Sequence, residues 1–160
     1  MKTVYLVGQI SPKYVITYEW RSRVINHMLP YNAGGNDRFK FINPCANGFN
    51  KDILKKGKYA IEGKNHEFGM EVLPHKDLSF VMESDIAIAN LNQYDPDKPL
   101  LGTFFELAWY SLHHEKTVIG FADNLTSYMC KHPFVSQAVN VWVKDEMEAC
   151  YVLERYFIDI

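Results

Sequence analysis

A chain of 160 residues with a formal net charge of −2 and a pI near 6.3 lacks the basic surplus that a nucleic-acid polymer or an anionic membrane selects. Its length suits one domain, residues 1–160, burying roughly two-thirds of its unfolded surface. The three cysteines, Cys45, Cys130 and Cys150, are odd in number and lack metal-ligand spacing, which points away from a disulfide framework and a zinc site.

The chain opens directly on an apolar run, Thr3-Val4-Tyr5-Leu6-Val7, which reads as a strand. No signal-peptide hydrophobic region precedes it and no stretch is long enough to span a bilayer, so the expectation is a soluble, cytoplasmic protein. Gly8-Gln9-Ile10-Ser11-Pro12 forms the turn after the strand. A glycine there lets backbone approach a ligand closely, although the dinucleotide fingerprint G-x-G-x-x-G is absent. Trp20, Val24 and Met28 at helical spacing predict a helix over Tyr18 to Leu29, ended by Pro30.

A Gly/Asn-rich loop from Tyr31 to Asp37 leads into a short strand, Phe39-Lys40-Phe41-Ile42, stopped by Asn43-Pro44. Asn47 to Asn65 is polar and without period, and reads as a lid or interface segment. A helix is predicted over Glu71 to Glu83, with Pro74 in its opening turns, Leu78, Val81 and Met82 on its apolar face, and Asp77 within it.

The most informative stretch follows. Asp85-Ile86-Ala87-Ile88-Ala89-Asn90-Leu91 is a strand buried on both faces, with Asn90 near its carboxyl end. A polar loop, Asn92 to Pro99, carries Asp95 and Asp97. An apolar helix over Leu100 to Leu112 then carries one carboxylate, Glu106, ahead of the surface histidines His113 and His114. Thr117 to Phe121 is the next buried strand. Beyond it the sequence predicts a loop (Ala122 to Lys131), a short helix (Pro133 to Val139), a brief strand (Val141 to Val143) and an amphipathic helix (Glu146 to Phe157). Strands alternating with helices predict an α/β fold: a doubly wound, Rossmann/flavodoxin-like parallel sheet of about five strands flanked by helices.

Glu106 has two readings. Thr103 and Glu106 have the spacing of a helix capping box, Thr-x-x-Glu. Alternatively, a carboxylate at the carboxyl end of a parallel sheet, beside Phe104, Phe105 and Trp109, is partly desolvated and available as a nucleophile. The ten Phe and ten Tyr fill a core first; a surplus suits a pocket for a flat ligand or an oligomer interface.

Three stretches taken together resemble the nucleoside 2-deoxyribosyltransferase family, which includes 2′-deoxynucleoside 5′-phosphate N-hydrolases. They are Val4-Tyr5-Leu6-Val7-Gly8-Gln9-Ile10, the strand from Asp85 to Leu91, and Gly102-Thr103-Phe104-Phe105-Glu106-Leu107-Ala108. Trp20-Arg21 and His132-Pro133-Phe134-Val135 extend the resemblance, which leaves Tyr31 to Asn65 unplaced. It implies that Glu106 is the nucleophile attacking the anomeric carbon of 2-deoxyribose. Asp77 would be the acid that protonates the departing base, and Tyr5 would position the nucleophile. Gly8 and Gln9 would line the floor of the site, with Asn90, Gly102 and the loop acids Asp95 and Asp97 available to substrate. The chemistry suits two carboxyls in unlike environments and calls for no cofactor and no metal.

Without that resemblance, Asp77 reads as a solvated charge, Tyr5 as core and Asp85 as structural. One position departs from the family. Six residues before the nucleophile, the transferases tend to carry an aspartate and the nucleotide hydrolases a serine, where this chain has Leu100. The expected partner is therefore a small deoxynucleoside or deoxynucleotide, with transfer and hydrolysis both open. A binding or sensing module without turnover and glycohydrolysis of a larger nucleotide such as NAD are the rival readings. The resemblance further implies a homodimer or larger homo-oligomer with shared sites, to which Tyr156 to Ile160 could contribute.

Overall fold

The computed structural model describes residues 1–33, 37–46 and 67–158, with the backbone alone for residues 67–72. The expected lid over Asn47 to Asn65 lies outside the described residues. Five strands alternate with helices: β1 (Lys2–Gly8), α1 (Ile16–Met28), β2 (Phe39–Ile42), α2 (Glu67–Glu83), β3 (Ile86–Asn90), α3 (Leu101–Ser111), β4 (Thr117–Phe121), α4 (Tyr128–Lys131), α5 (Pro133–Ala138), β5 (Val141–Val143) and α6 (Glu146–Phe157). The strands pair in parallel in the order β2-β1-β3-β4-β5. This is the doubly wound α/β sheet that the alternation predicts.

The apolar runs behave as strands because both sides of each are covered. Along β1 and β3, Val4, Leu6, Ile86 and Ile88 face a core shared with Trp20, Val24 and Met28 of α1 and Ala149, Cys150 and Leu153 of α6. The alternate residues, Tyr5, Val7, Ala87 and Ala89, face a second core with Val81 of α2 and Leu107 and Tyr110 of α3. A period of two thus divides one run between two layers.

Several boundaries differ from expectation. Helix α1 starts at Ile16 rather than Tyr18, because the Thr17 hydroxyl accepts the Ser11 N–H at 3.0 Å and donates to the Tyr14 carbonyl at 2.7 Å, ordering its first turn. Helix α2 starts at Glu67, so Pro74 sits mid-helix and not in the opening turns; its missing N–H removes one helical bond. The loop expected after β4 contains α4, whose start is capped by Ser127. Asp85 is structural as expected. Its carboxylate accepts the Thr3 N–H at 2.8 Å, while its backbone bonds Thr3 at 2.9 Å and Thr117 at 3.1 Å, tying three strands together at one edge.

The chain reverses direction across the sheet between β1 and β3, and the carboxyl ends of those strands open a crevice there. Gly8 ends β1 with φ at +154°. A Cβ added at Gly8 would come within 3.1 Å of the Asn90 carbonyl and 3.4 Å of Trp20. Among the described residues no helix is long and apolar enough to cross a membrane. Gly8→Ala should therefore cost about 1–3 kcal/mol of stability, measured by urea denaturation. An unchanged midpoint would show that the strand end tolerates a side chain.

Candidate active site

A cavity of about 170 Å³ lies at that crevice. Its wall joins five parts of the chain. Tyr5, Gly8 and Gln9 come from the end of β1, and Leu73 and Asp77 come from α2. Lys98 and Pro99 come from the loop before α3, and Gly102, Thr103 and Glu106 come from α3 itself. Leu100, Ile10 and, from a fifth part of the chain, Pro44 complete it. Three residues that the family resemblance names for the reaction, Glu106, Asp77 and Tyr5, thus share one hollow.

Glu106 reaches the hollow by a different route from the capping box. Helix α3 begins at Leu101 with Leu100 as its N-cap, so Thr103 is the third helical residue and Glu106 the sixth. No side chain caps this end. The helix starts three residues earlier than a Thr103 cap implies, and its packing against the sheet buries Glu106. The small side chains of Ala87 and Ala89 on β3 allow that approach: Ala87 lies beside Tyr5 in the sheet and faces the same core.

The Tyr5 hydroxyl donates a short hydrogen bond to Glu106 Oε1 within this buried layer. Burial raises the Glu106 pKa from the ordinary 4.5 to about 8, and the charge of Asp77 pushes the same way. The Tyr5 hydrogen bond and the Arg21 guanidinium oppose that rise. Burial also lifts Asp77, to about 6, with Lys76 opposing. Tyr5 is held well above the usual tyrosine range by burial and by both carboxylates. The two carboxyls expected in unlike environments share the same main influence. Burial raises both, and Glu106 more.

The floor of the site rests on Arg21, a fully buried cation. Its Nε donates to the Leu6 carbonyl at 3.0 Å and its Nη2 to the Gly8 carbonyl at 2.8 Å, while Nη1 donates to the carbonyls of Gln9 at 3.5 Å and of Thr17. The guanidinium also lies 4.6 Å from the Trp20 ring centroid. It holds the end of β1 in place and lends positive potential to the carboxyl pair above.

Gln9 lines the hollow with its side chain already engaged. Its amide accepts the N–H groups of Tyr94 at 3.0 Å and Asp95 at 2.8 Å, and donates to the carbonyls of Asp95 at 3.2 Å and Lys98 at 2.6 Å. That uses every donor and acceptor the amide has, so Gln9 staples the loop to β1. The loop acids are placed differently from expectation. Asp95 turns inward to accept from Ser11 Oγ at 2.5 Å, which lowers its pKa, and Asp97 pairs with Lys13 at 3.0 Å on the surface. Neither lines the hollow, and neither does Asn90, whose side chain accepts the Asn92 N–H at 3.0 Å. A buried or paired acid already has its counter-group, which keeps it from swinging toward a ligand.

Sequence reasoning left Lys98 and Arg21 without a role in the site and gave Thr103 only that of a helix cap. Thr103 is 4% exposed and its hydroxyl has no hydrogen-bond partner among the described residues. Lys98 is half-buried, and burial lowers its pKa. The available signal was the short spacing from Lys98 to Glu106, which one loop and one helical turn fold into a single wall. Among the described residues no group of three His, Cys, Asp or Glu side chains could hold a metal ion.

No protein-family model matches the chain, and no curated protein matches it in sequence. Among solved structures, that of the Clostridium botulinum CMP N-glycosidase BcmB is similar, with a TM-score of 0.47 and 17% identity over 97% of this chain and 99% of that one. At that level of likeness the chemistry has to be read from the site itself.

A carboxyl with a raised folded pKa keeps a proton that the unfolded chain releases, so it stabilises the fold at low pH and loses that contribution as pH rises. For Glu106 the loss runs from about 4.5 to about 8, and for Asp77 from about 3.8 to about 6. Thermal melts should fall steadily over this window, and Glu106→Gln should remove most of the slope above pH 6. A variant that keeps the wild-type slope would show that Glu106 is not the group responsible.

Proposed function

We propose that this protein cleaves the N-glycosidic bond of a 2′-deoxynucleoside 5′-monophosphate through a covalent ester between the sugar and Glu106. The observation that carries this reading is the pair of desolvated carboxyls, Glu106 and Asp77, in one hollow, with Tyr5 bonded to the first. In the productive form Asp77 holds the proton and Glu106 is ionised. A Glu106 oxygen bonds to C1′ as the C1′–N bond breaks, the bond's electrons leave with the base, and the Asp77 proton neutralises it. Water, deprotonated by Asp77, then attacks C1′ and releases Glu106.

Before substrate binds, the pair holds its proton mainly on Glu106, the group with the higher pKa of the two. Moving the proton to Asp77 changes its place without changing the total charge. The pair titrates as a unit, and its singly protonated form spans the range between the two values. Tyr5 and Arg21 favour the shift, because both stabilise an ionised Glu106.

A monophosphate suits the remaining wall. The N–H groups at the start of α3 have no capping side chain, Gly102 leaves open space beside them, and the Thr103 hydroxyl and Lys98 flank them. An uncapped helix start with a cation and a hydroxyl favours an anion. Leu100, where a serine would meet a phosphate, is the N-cap, and its backbone leaves the helix start open. The hollow, about 170 Å³, is smaller than a full small-molecule site of roughly 300 Å³ or more, so it takes the sugar and phosphate and leaves the base at its mouth.

Incubation with deoxynucleosides and their 5′-monophosphates, following free base, tests the reading. Base release should be greatest with a monophosphate and lost in Glu106→Ala with the fold kept. Asp77→Asn should lower kcat by ~10²–10⁴-fold. Free deoxyribose 5-phosphate among the products marks hydrolysis, whereas a new nucleotide formed on adding a second base marks transfer. Persistent activity in Glu106→Ala removes the ester mechanism. Stabilisation by ligand with no base release favours a binding module instead.

Two further outcomes follow from the site's charges. The pH profile of kcat/KM should be a bell with limbs at about 6 and about 8. Lys98→Ala should raise KM for the monophosphate by roughly 10–100-fold, the loss of one charge-assisted hydrogen bond, and leave the unphosphorylated nucleoside unaffected. A profile flat across this range would separate the carboxyl pair from the rate-determining chemistry.

A further inference from the structure

Where a serine side chain would meet a phosphate, this chain offers backbone, and that backbone is held from β1. Gln9, 8% exposed, turns its amide onto the loop before α3. Its Oε1 accepts the N–H groups of Tyr94 and Asp95, and its Nε2 donates to the carbonyls of Asp95 and Lys98, the last at 2.6 Å. Two residues further on, the Ser11 hydroxyl donates to the Asp95 carboxylate, whose other oxygen accepts the Asp97 N–H at 3.2 Å. One short stretch after β1 thus grips the loop along its length, from residue 94 to residue 98.

The grip reaches the helix through a stiff link. A residue before proline is confined to extended backbone, and the proline ring fixes its own φ. Lys98, whose carbonyl Gln9 holds, precedes Pro99, and Leu100 after it is the N-cap of α3. Little rotation is left in that link to absorb a displacement. The Gln9 amide therefore sets where the N–H groups of residues 101–103 stand and where the Lys98 side chain enters the wall.

That helix start is left unsatisfied by the chain itself. It has no capping side chain, and the Thr103 hydroxyl, 4% exposed, lines the hollow without a hydrogen-bond partner among the described residues. A buried hydroxyl is costly unless something bonds to it, and an anion there accepts from the hydroxyl and from the backbone N–H groups together. Gln9 is in the opposite condition. Its amide has no donor or acceptor left for a ligand, so it acts on one only through the loop.

We propose that Gln9 is a positioning residue that decides the preference for a phosphorylated substrate, by pinning residues 94–98 to β1 and so holding Lys98 and the start of α3 where they meet a 5′-phosphate. The inference rests on the monophosphate reading above. It adds that the phosphate is recognised by backbone fixed from β1, and not by the side chain at position 100. Pinning and binding are linked: an anion that favours the pinned loop also holds it pinned.

The test compares kcat/KM for a deoxynucleoside and for its 5′-monophosphate, in the wild-type chain and in Gln9→Met. That variant nearly keeps the side chain's volume and loses all four bonds. The monophosphate-to-nucleoside ratio should fall about tenfold or more, through KM for the monophosphate, with kcat held within about threefold. A Gln9 that merely supported the fold would depress both substrates alike, and an unchanged ratio overturns the proposal while the monophosphate reading stands. A wild-type chain with no preference for the monophosphate overturns that reading, and the inference with it. If Gln9→Met does not fold, hydrogen exchange on the unmodified chain, with and without inorganic phosphate, decides. Phosphate should slow the amides of Tyr94 and Asp95 by about tenfold or more, together with those of residues 101–103. Slowing confined to residues 101–103, or at neither place, overturns the proposal.

Discussion

A carboxyl group held out of water between a helix and a sheet is the constraint on which the rest of this structure depends. Glu106 stands over β1 with Tyr5 as its hydrogen-bond partner, and the two alanines of β3 leave the room for it. Burying a charge without a direct counterion is costly, so the group takes up a proton instead. That one fact makes the site responsive to pH and makes Asp77, on a different element, part of the same titration.

Arg21 has a corresponding place beneath the site. A buried guanidinium needs partners for its donors, and it finds them in backbone carbonyls of β1 and α1 instead of a carboxylate. Its charge is therefore left to act on the cavity above. The same residue that fixes the end of β1 also offsets the cost of ionising Glu106. Structural and electrostatic roles coincide because both come from one buried cation.

The loop before α3 is fixed in a similar way. Gln9 spends its whole amide on that loop, and Ser11 spends its hydroxyl on Asp95. These bonds position Lys98 and the uncapped start of α3 at the cavity wall. Polar residues that looked available to a substrate are thus the ones that build the mouth, and residues that looked incidental form its lining. Leu100 illustrates the exchange: its side chain has nothing to offer an anion, and its backbone position opens the helix start.

The order of elements, the parallel sheet and the two-sided burial of β3 are legible in the chain itself, because a period of two and unbroken apolar runs are local properties. So is the importance of Glu106, the single charge in an apolar helix. The apolar run placed α3 to within a residue at each end, but the Thr-x-x-Glu spacing suggested a capping box that does not form, because Leu100 and not Thr103 is the N-cap. The roles of Gln9, Asp95 and Asp97 depended on partners more than 80 residues away in sequence, and the burial that raises both carboxyl pKa values depends on elements brought together from distant parts of the chain. Which residue types are present, and in what local rhythm, is written along the chain. Which of them meet, and how much water remains between them, was decided by tertiary packing, because desolvation and hydrogen-bond saturation are properties of neighbours in space.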